Sequence, residues 1–204
     1  MKYWLDLGSR KGVSLKWAVK HLRDVDKYIG FEPVPEFCKK LRIKFRSNSK
    51  VKINNAAIGI RDRGDAAFFL DKTLQQDDTI FIGKGSSLIE GMQNGEIIKV
   101  KGISLSNYIL SNFKKSDYII VKVDIEGMEY DVLEDIIRSG AIDYIDEMRC
   151  EWHIEQLTRK TDRGSESILK RHDNLIGSIE NIFSMKKEFA VFGNHYVRKV
   201  SKND

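Results

Sequence analysis

Tyr118-Ile119-Ile120-Val121-Lys122-Val123-Asp124-Ile125-Glu126-Gly127-Met128-Glu129, near the middle of a 204-residue chain, decides the class of fold. Tyr118 to Val121 and Val123 form an apolar run interrupted by one Lys, the pattern of a strand covered on both faces. Beyond Gly127, the spacing of Met128, Val132, Leu133, Ile136 and Ile137 predicts a helix that stops at Ser139-Gly140. A buried strand, a carboxylate and a helix make one unit of an open α/β sheet. Asp124 then stands at the carboxyl end of its strand, where such sheets meet ligands. An ammonium at Lys122 is costly in a strand covered on both sides unless it is paired. Lys122 shares a strand face with Asp124, so a Lys122–carboxylate pair in the site is expected; a side chain reaching past the sheet end is the plainer alternative. Glu126 and Glu129 fall in the first turn of the following helix, where the dipole favours carboxylates and structural roles suffice.

Upstream, Tyr3-Trp4-Leu5-Asp6-Leu7 reads as a strand entering Gly8-Ser9-Arg10-Lys11-Gly12, and Val13, Leu15, Trp17, Ala18, Val19 and Leu22 recur at helical spacing. This strand, Gly-rich turn and helix open a nucleotide-binding βαβ unit. The turn is GxxxG, not GxGxxG, and Asp6 precedes its first Gly by two positions. A carboxylate there suits a cofactor with a cationic amino-acid portion and would repel a pyrophosphate. A second strand, Lys27 to Phe31, ends at Glu32-Pro33, with Glu32 placed to accept both hydroxyls of a ribose. Pro35 begins a helix reaching Phe45, and Val51-Lys52-Ile53 makes a third strand. It leads into Asn54-Asn55-Ala56-Ala57, small residues that would let an adenine approach the backbone.

From about 60 to 105 the pattern becomes strand-rich, with alternating runs at Ala66 to Leu70 and Ile97 to Val100. Residues 71–95, including Gly83-Lys84-Gly85-Ser86-Ser87, are read as a substrate-facing lid, with a disordered loop as the bland alternative. A helix is expected from Ser104 to Asn112. A fifth strand flanked by Ile142 to Ile145 and Met148 to Cys150 ends in Glu151-Trp152-His153, and a helix covers about Glu166 to Ile182. Phe189 to Val197 reads as an antiparallel hairpin with a Gly-Asn turn.

Composition narrows the class. At 41% hydrophobic and 32% charged the chain is an ordinary globular one, and no apolar run approaches the roughly 20 residues of a membrane span. Nothing resembles a signal peptide, and Cys38 and Cys150 lack CxxC spacing, which argues against a zinc or disulfide framework and for the cytoplasm. The net charge is +5, with basic clusters at Lys39, Lys40, Arg42, Lys44 and Arg46 and at Lys186-Lys187. Solvated helix faces are the simpler reading of these clusters, so nucleic acid is not the expected partner; a footprint for RNA or an anionic glycan is the other reading. The first strand starts at residue 3, so either the lid alone caps the pocket or this single domain comes from a larger protein, the second being expected.

Together the signatures resemble the FkbM family of S-adenosylmethionine-dependent O-methyltransferases. The residues carrying the resemblance are Asp6-Leu7-Gly8-Ser9-Arg10-Lys11-Gly12, Phe31-Glu32-Pro33, Ala57-Ile58-Gly59, Lys122-Val123-Asp124-Ile125-Glu126-Gly127 and Glu151-Trp152-His153, in the family's order. Arg10 departs from it, standing where the family usually has Asn. The resemblance implies a class I methyltransferase sheet, Rossmann-like with helices on both faces, and a hydroxyl acceptor on a sugar, glycan or other small molecule. Asp6, Gly8, Ser9 and Gly12 would then hold the methionine portion, Glu32 with Pro33 the ribose, and Asn55, Ala56 and Ala57 the adenine.

Methyl transfer from a sulfonium is an in-line displacement that depends on positioning, and an alcohol also needs its proton removed or its oxygen coordinated. His153 is the expected general base, with Glu151 orienting it or the substrate, Asp124 as the other candidate base and Lys122 as partner in the site. A Mg²⁺ or Mn²⁺ held by Asp124 with Glu151 or His153 is a second route that the spacing does not demand. Two competing readings are a ribose 2′-O-methyltransferase acting on RNA and a cofactor-binding domain without turnover.

Overall fold

A computed structural model of the chain describes residues 1–70, 72–74, 80–82, 88, 96–154, 165–184, 188–193 and 196–200. The expected lid and its Gly-rich segment lie almost wholly outside the described residues, as do Lys186, Lys187 and the Gly-Asn turn beyond Gly193.

Strands β1 (Lys2–Leu7), β2 (Lys27–Phe31), β3 (Val51–Asn54), β9 (Tyr118–Val123), β10 (Glu147–Glu151), β11 (Glu188–Gly193) and β12 (Tyr196–Val200) form one seven-stranded sheet. Its order is β12-β11-β10-β9-β1-β2-β3, parallel throughout except for the antiparallel edge strand β12. The chain winds outward from β1 in both directions, so β1 and β9 flank the crevice where an open α/β sheet binds ligands. The register sets Asp6 beside Lys122 and Leu7 beside Val123.

Alternation along the strands builds a core on each face. Trp4, Tyr28, Ile53 and Ile120 pack against Leu15 and Ala18 of α1 (Val13–His21) and against Cys38 and Leu41 of α2 (Pro35–Lys44). Leu5, Leu7, Ile119, Val121 and Val123 face the other way. There they meet α3 (Leu105–Asn112), α4 (Glu129–Arg138) and α5 (Ser165–Ser184) through Ile109, Tyr130, Leu133, Ile136, Leu175 and Phe183. Burying one such Leu or Ile contributes about 1.5–3 kcal/mol. The α4 residues Tyr130, Val132, Leu133 and Ile136 make one apolar stripe, and Gly140 ends that segment in the left-handed conformation at φ 76°. Both cysteines are buried and free.

The strand-rich insertion is a second sheet, β4 (Ala57–Gly59), β8 (Ile97–Ser104) and β5 (Arg63–Phe69) in the order β4-β8-β5, and β6 (Lys72–Leu74) pairs with β7 (Ile80–Ile82). One expected element differs. Ala141–Tyr144 is a 3-10 turn, not strand, because Gly140 reverses the chain and Asp143 bonds back to Gly140; the strand begins at Glu147. No helix among the described residues is long and apolar enough to cross a membrane.

Candidate active site at the end of the central strands

The ends of β1, β2 and β9 open into a cavity of about 750 Å³. The turn after β1 forms one wall. Gly8 is required there twice over: its φ is 78°, and a Cβ would lie 1.9 Å from the Asp124 carbonyl oxygen. The turn is held from below, since the Gly8 and Ser9 amides both donate to the Phe31 carbonyl and the Ser9 hydroxyl donates to the Asp6 carbonyl. Ser9, Arg10, Lys11 and Ser14 face the cavity with Gly8. Arg10 adopts φ 44°, a left-handed conformation that Asn tolerates better than a long side chain.

Glu32 ends β2 almost fully buried. Its carboxylate accepts from the Arg10 amide at 2.6 Å and from the Val34 amide at 2.9 Å, which ties the first two strand ends together. Burial pushes its pKa up to about 7; the two amides and Lys122 pull the other way, and Asp6 adds to the rise. Glu32, Pro33 and Ala57 line the cavity, with Val34, Phe37, Ile58, Phe68 and Leu88 as an apolar flank.

Four expected cofactor residues stand behind this wall. Asp6 is fully buried and accepts from the Ser14 hydroxyl through both oxygens, at 2.9 and 3.0 Å. Gly12 sits under Leu41, the Asn55 amide nitrogen donates to the Glu32 and Pro33 carbonyls, and Ala56 is buried. These residues shape the wall without forming its surface.

Lys122 and Asp124 form the pair expected of them, Nζ to Oδ2 at 2.9 Å. The ammonium also meets the Gly8 carbonyl at 3.1 Å and Asp6 Oδ1 at 3.5 Å. Burial alone would lower its pKa, but Asp6 and Asp124 outweigh burial and hold it above the ordinary lysine value.

His153 follows β10 and enters the cavity opposite the turn. Its Nδ1 lies 2.8 Å from Glu129 Oε1, and its Nε2 lies 3.4 Å from Glu126, 3.8 Å from Asp124 and 3.9 Å from Glu151. Burial would lower the imidazole pKa; the Glu129 hydrogen bond and the charges of Glu129, Glu126 and Asp124 overcome that and raise it to about 9. In the absence of another cation its charge is shared with these carboxylates.

Two participants escaped the sequence reading. Glu126 sits in the turn before α4 at φ 55°, not in a helical first turn, and so aims into the cavity beside Asp124. Glu129 is fully buried and accepts from the Ile125 and Gly127 amides as well as meeting His153. Only the β9–β10 pairing, Val123 beside Cys150, brings His153 to it across the sheet. Glu151 is half-exposed at the rim. Asp124, Glu126 and His153 offer ligand atoms that all lie within 4.8 Å of one another.

A family model described as the methyltransferase FkbM domain matches residues 6–186. A crystal structure of Methyltransferase FkbM from Methylobacillus flagellatus KT is similar at a TM-score of 0.47 and 12% identity, over 87% of this chain and 38% of that one. The chain thus spans well under half the length of that protein. No curated protein matches the chain.

Proposed function

The chain belongs to the methyltransferase FkbM domain family, and from that premise we propose that it transfers the methyl group of S-adenosylmethionine to a hydroxyl of a sugar or glycan. One observation carries the reading: a single cavity is lined by the Gly8–Lys11 turn and Glu32 together with Asp124 and His153. In this reading the sheet is a class I, Rossmann-like methyltransferase sheet, supported by the reversal of winding at β1. Gly8, Ser9 and the turn amides bind the methionine portion, Glu32 accepts the ribose hydroxyls, and Ala57 with the apolar flank receives the adenine. Free, buried cysteines fit a cytoplasmic setting.

Asp124 would face the acceptor hydroxyl from the cavity lining. Bound S-adenosylmethionine would supply an electrophilic methyl and a neutral thioether leaving group, and Asp124 would accept the proton that the acceptor hydroxyl gives up. Lys122 holds the far oxygen of Asp124 and so fixes its direction. The carboxylates of this wall attract the cationic cofactor and release its neutral product.

Transfer of labelled methyl to sugars, glycans and RNA tests the proposal. The expected result is label on a carbohydrate hydroxyl, reduced at least 100-fold in Asp124→Ala. Label on no acceptor, or transfer unchanged in Asp124→Ala, rejects it. A second reading, transfer to an RNA ribose, is favoured by the basic stretch from Lys11 to Lys52. Label on RNA with steep salt dependence would establish that reading in place of the first.

A further inference from the structure

Three carboxylates face a single imidazole nitrogen in the cavity. Asp124 comes from the end of β9, Glu126 from the turn that follows, and His153 from beyond β10, so residues distant in sequence converge there. Glu151 approaches the same nitrogen from the rim. Lys122 lies nearby, but its ammonium is divided among Asp124, Asp6 and the Gly8 carbonyl.

A separate feature outside the triad sets how the imidazole is presented. Glu129 is fully buried, pinned by the amides of Ile125 and Gly127, and meets Nδ1 of His153 at 2.8 Å. A buried carboxylate on one ring nitrogen fixes the tautomer and aims the other at a ligand, the usual support for a metal-bound histidine. Here the other nitrogen, Nε2, lies 3.4 and 3.8 Å from Glu126 and Asp124, so a cation that displaced its proton would be shared by all three side chains.

We propose that Asp124, Glu126 and His153 bind one divalent cation, with Glu129 as the positioning residue for His153. Two carboxylates and one imidazole suit a first-row ion such as Mn²⁺ better than Ca²⁺, which prefers an all-oxygen cage. Three protein ligands would leave further coordination positions for water or an acceptor. The site rests on this geometry alone. Its role rests on the methyl-transfer reading: the cation would bind the acceptor oxygen and ease loss of its proton. An acceptor with two adjacent oxygens, as in a vicinal diol, would fill two open positions.

Mn²⁺ titration of the whole chain, followed by loss of the free-ion EPR signal, tests the site. One ion per chain is expected, bound at least 10-fold more weakly in Glu126→Gln and in His153→Gln. Glu129→Gln should weaken binding 10- to 100-fold while every ligand remains in place. Thermal shift by S-adenosylmethionine reports that each variant is folded, and Glu126→Gln, at the cavity surface, carries the test if the His153 variant does not fold. Absence of Mn²⁺ binding, or equal binding in Glu126→Gln and wild type, overturns the site. Transfer at full rate in EDTA overturns its role and leaves the methyltransferase reading standing. Stoichiometric Mn²⁺ binding by a chain that does not bind S-adenosylmethionine upholds the site and overturns the methyltransferase reading instead.

Discussion

Lys122 interrupts an otherwise apolar strand and is almost enclosed, with two carboxylates and a carbonyl around its ammonium. Removing it strands Asp6, which has no solvent contact, so Lys122→Met should cost about 3–5 kcal/mol in urea unfolding. Asp6→Asn in the same chain should recover part of that loss, a coupling that a purely steric role would not produce. Glu32 offers a second test through its pKa of about 7, against 4.5 for an ordinary glutamate. The folded chain then carries one proton more than the unfolded chain between these values. Its contribution to stability is present below pH 4.5, declines as pH rises, and is lost by roughly 3 kcal/mol above pH 7. Asp6 on one side and Lys122 on the other face this carboxyl and partly cancel. Glu32→Gln should flatten this part of the stability profile between pH 5 and 8. Ribose hydroxyls donate to the ionised form, so cofactor binding should tighten from pH 6 to 8 in the wild type and not in Glu32→Gln.

The turn from Asp124 to Met128 joins the central strand to its helix and carries much of the proposed chemistry. Glu126 and Gly127 both have positive φ, 55° and 101°, and only the second is a residue made for it. A non-glycine residue held there costs about 1 kcal/mol or more, so Glu126→Gly should raise the unfolding free energy by about 1 kcal/mol while abolishing Mn²⁺ binding. Calorimetry and metal titration on one variant would separate these effects. The same turn marks the limit of what the sequence discloses. Asp124 and Glu32 at their strand ends and the paired Lys122 were legible because strand periodicity and burial cost assign these positions from local pattern alone. The direction of the Asn55 amide was not legible, because small residues at a strand end say where the backbone runs, not where an amide points. It turns back to the carbonyls of Glu32 and Pro33. Glu129 was hidden for another reason: a carboxylate in a first helical turn is explained by the dipole, and its second partner, His153, reaches it only through sheet pairing. Local pattern found the strands and helices well. It missed Ala141–Tyr144, whose apolar residues fill the core from a 3-10 turn as readily as from a strand.

Across the whole molecule, charge is unevenly placed. Residues 11–52, which build the α1–α2 layer and its strands, hold twelve Lys and Arg against four Asp and Glu, while Asp124, Glu126 and Glu151 line the cavity with Glu129 buried behind them. A polyanion would meet the first surface and a cation the second, so the two acceptor readings predict opposite salt responses. Transfer to a neutral sugar should hold its rate between 50 and about 200 mM salt, whereas transfer to RNA should fall steeply. The cavity also joins elements that otherwise pack in separate layers: Ser14 from α1, Glu32 from β2, Ala57 from β4 and His153 from beyond β10. A ligand bridging them stabilises the folded chain as a unit. S-adenosylmethionine at 100 times its Kd should contribute about 2.7 kcal/mol, which for a chain of this size raises Tm by roughly 5–10 °C. Mn²⁺ should add its own increment at a separate place on the same cavity, and the two shifts should sum if neither ligand displaces the other. Glu126→Gln should remove only the Mn²⁺ shift, Glu32→Gln only the cofactor shift. A single differential scanning series, with each ligand alone and then both, reads all of these outcomes. A cofactor shift that vanishes in Glu126→Gln would show that one ligand site had been mistaken for two.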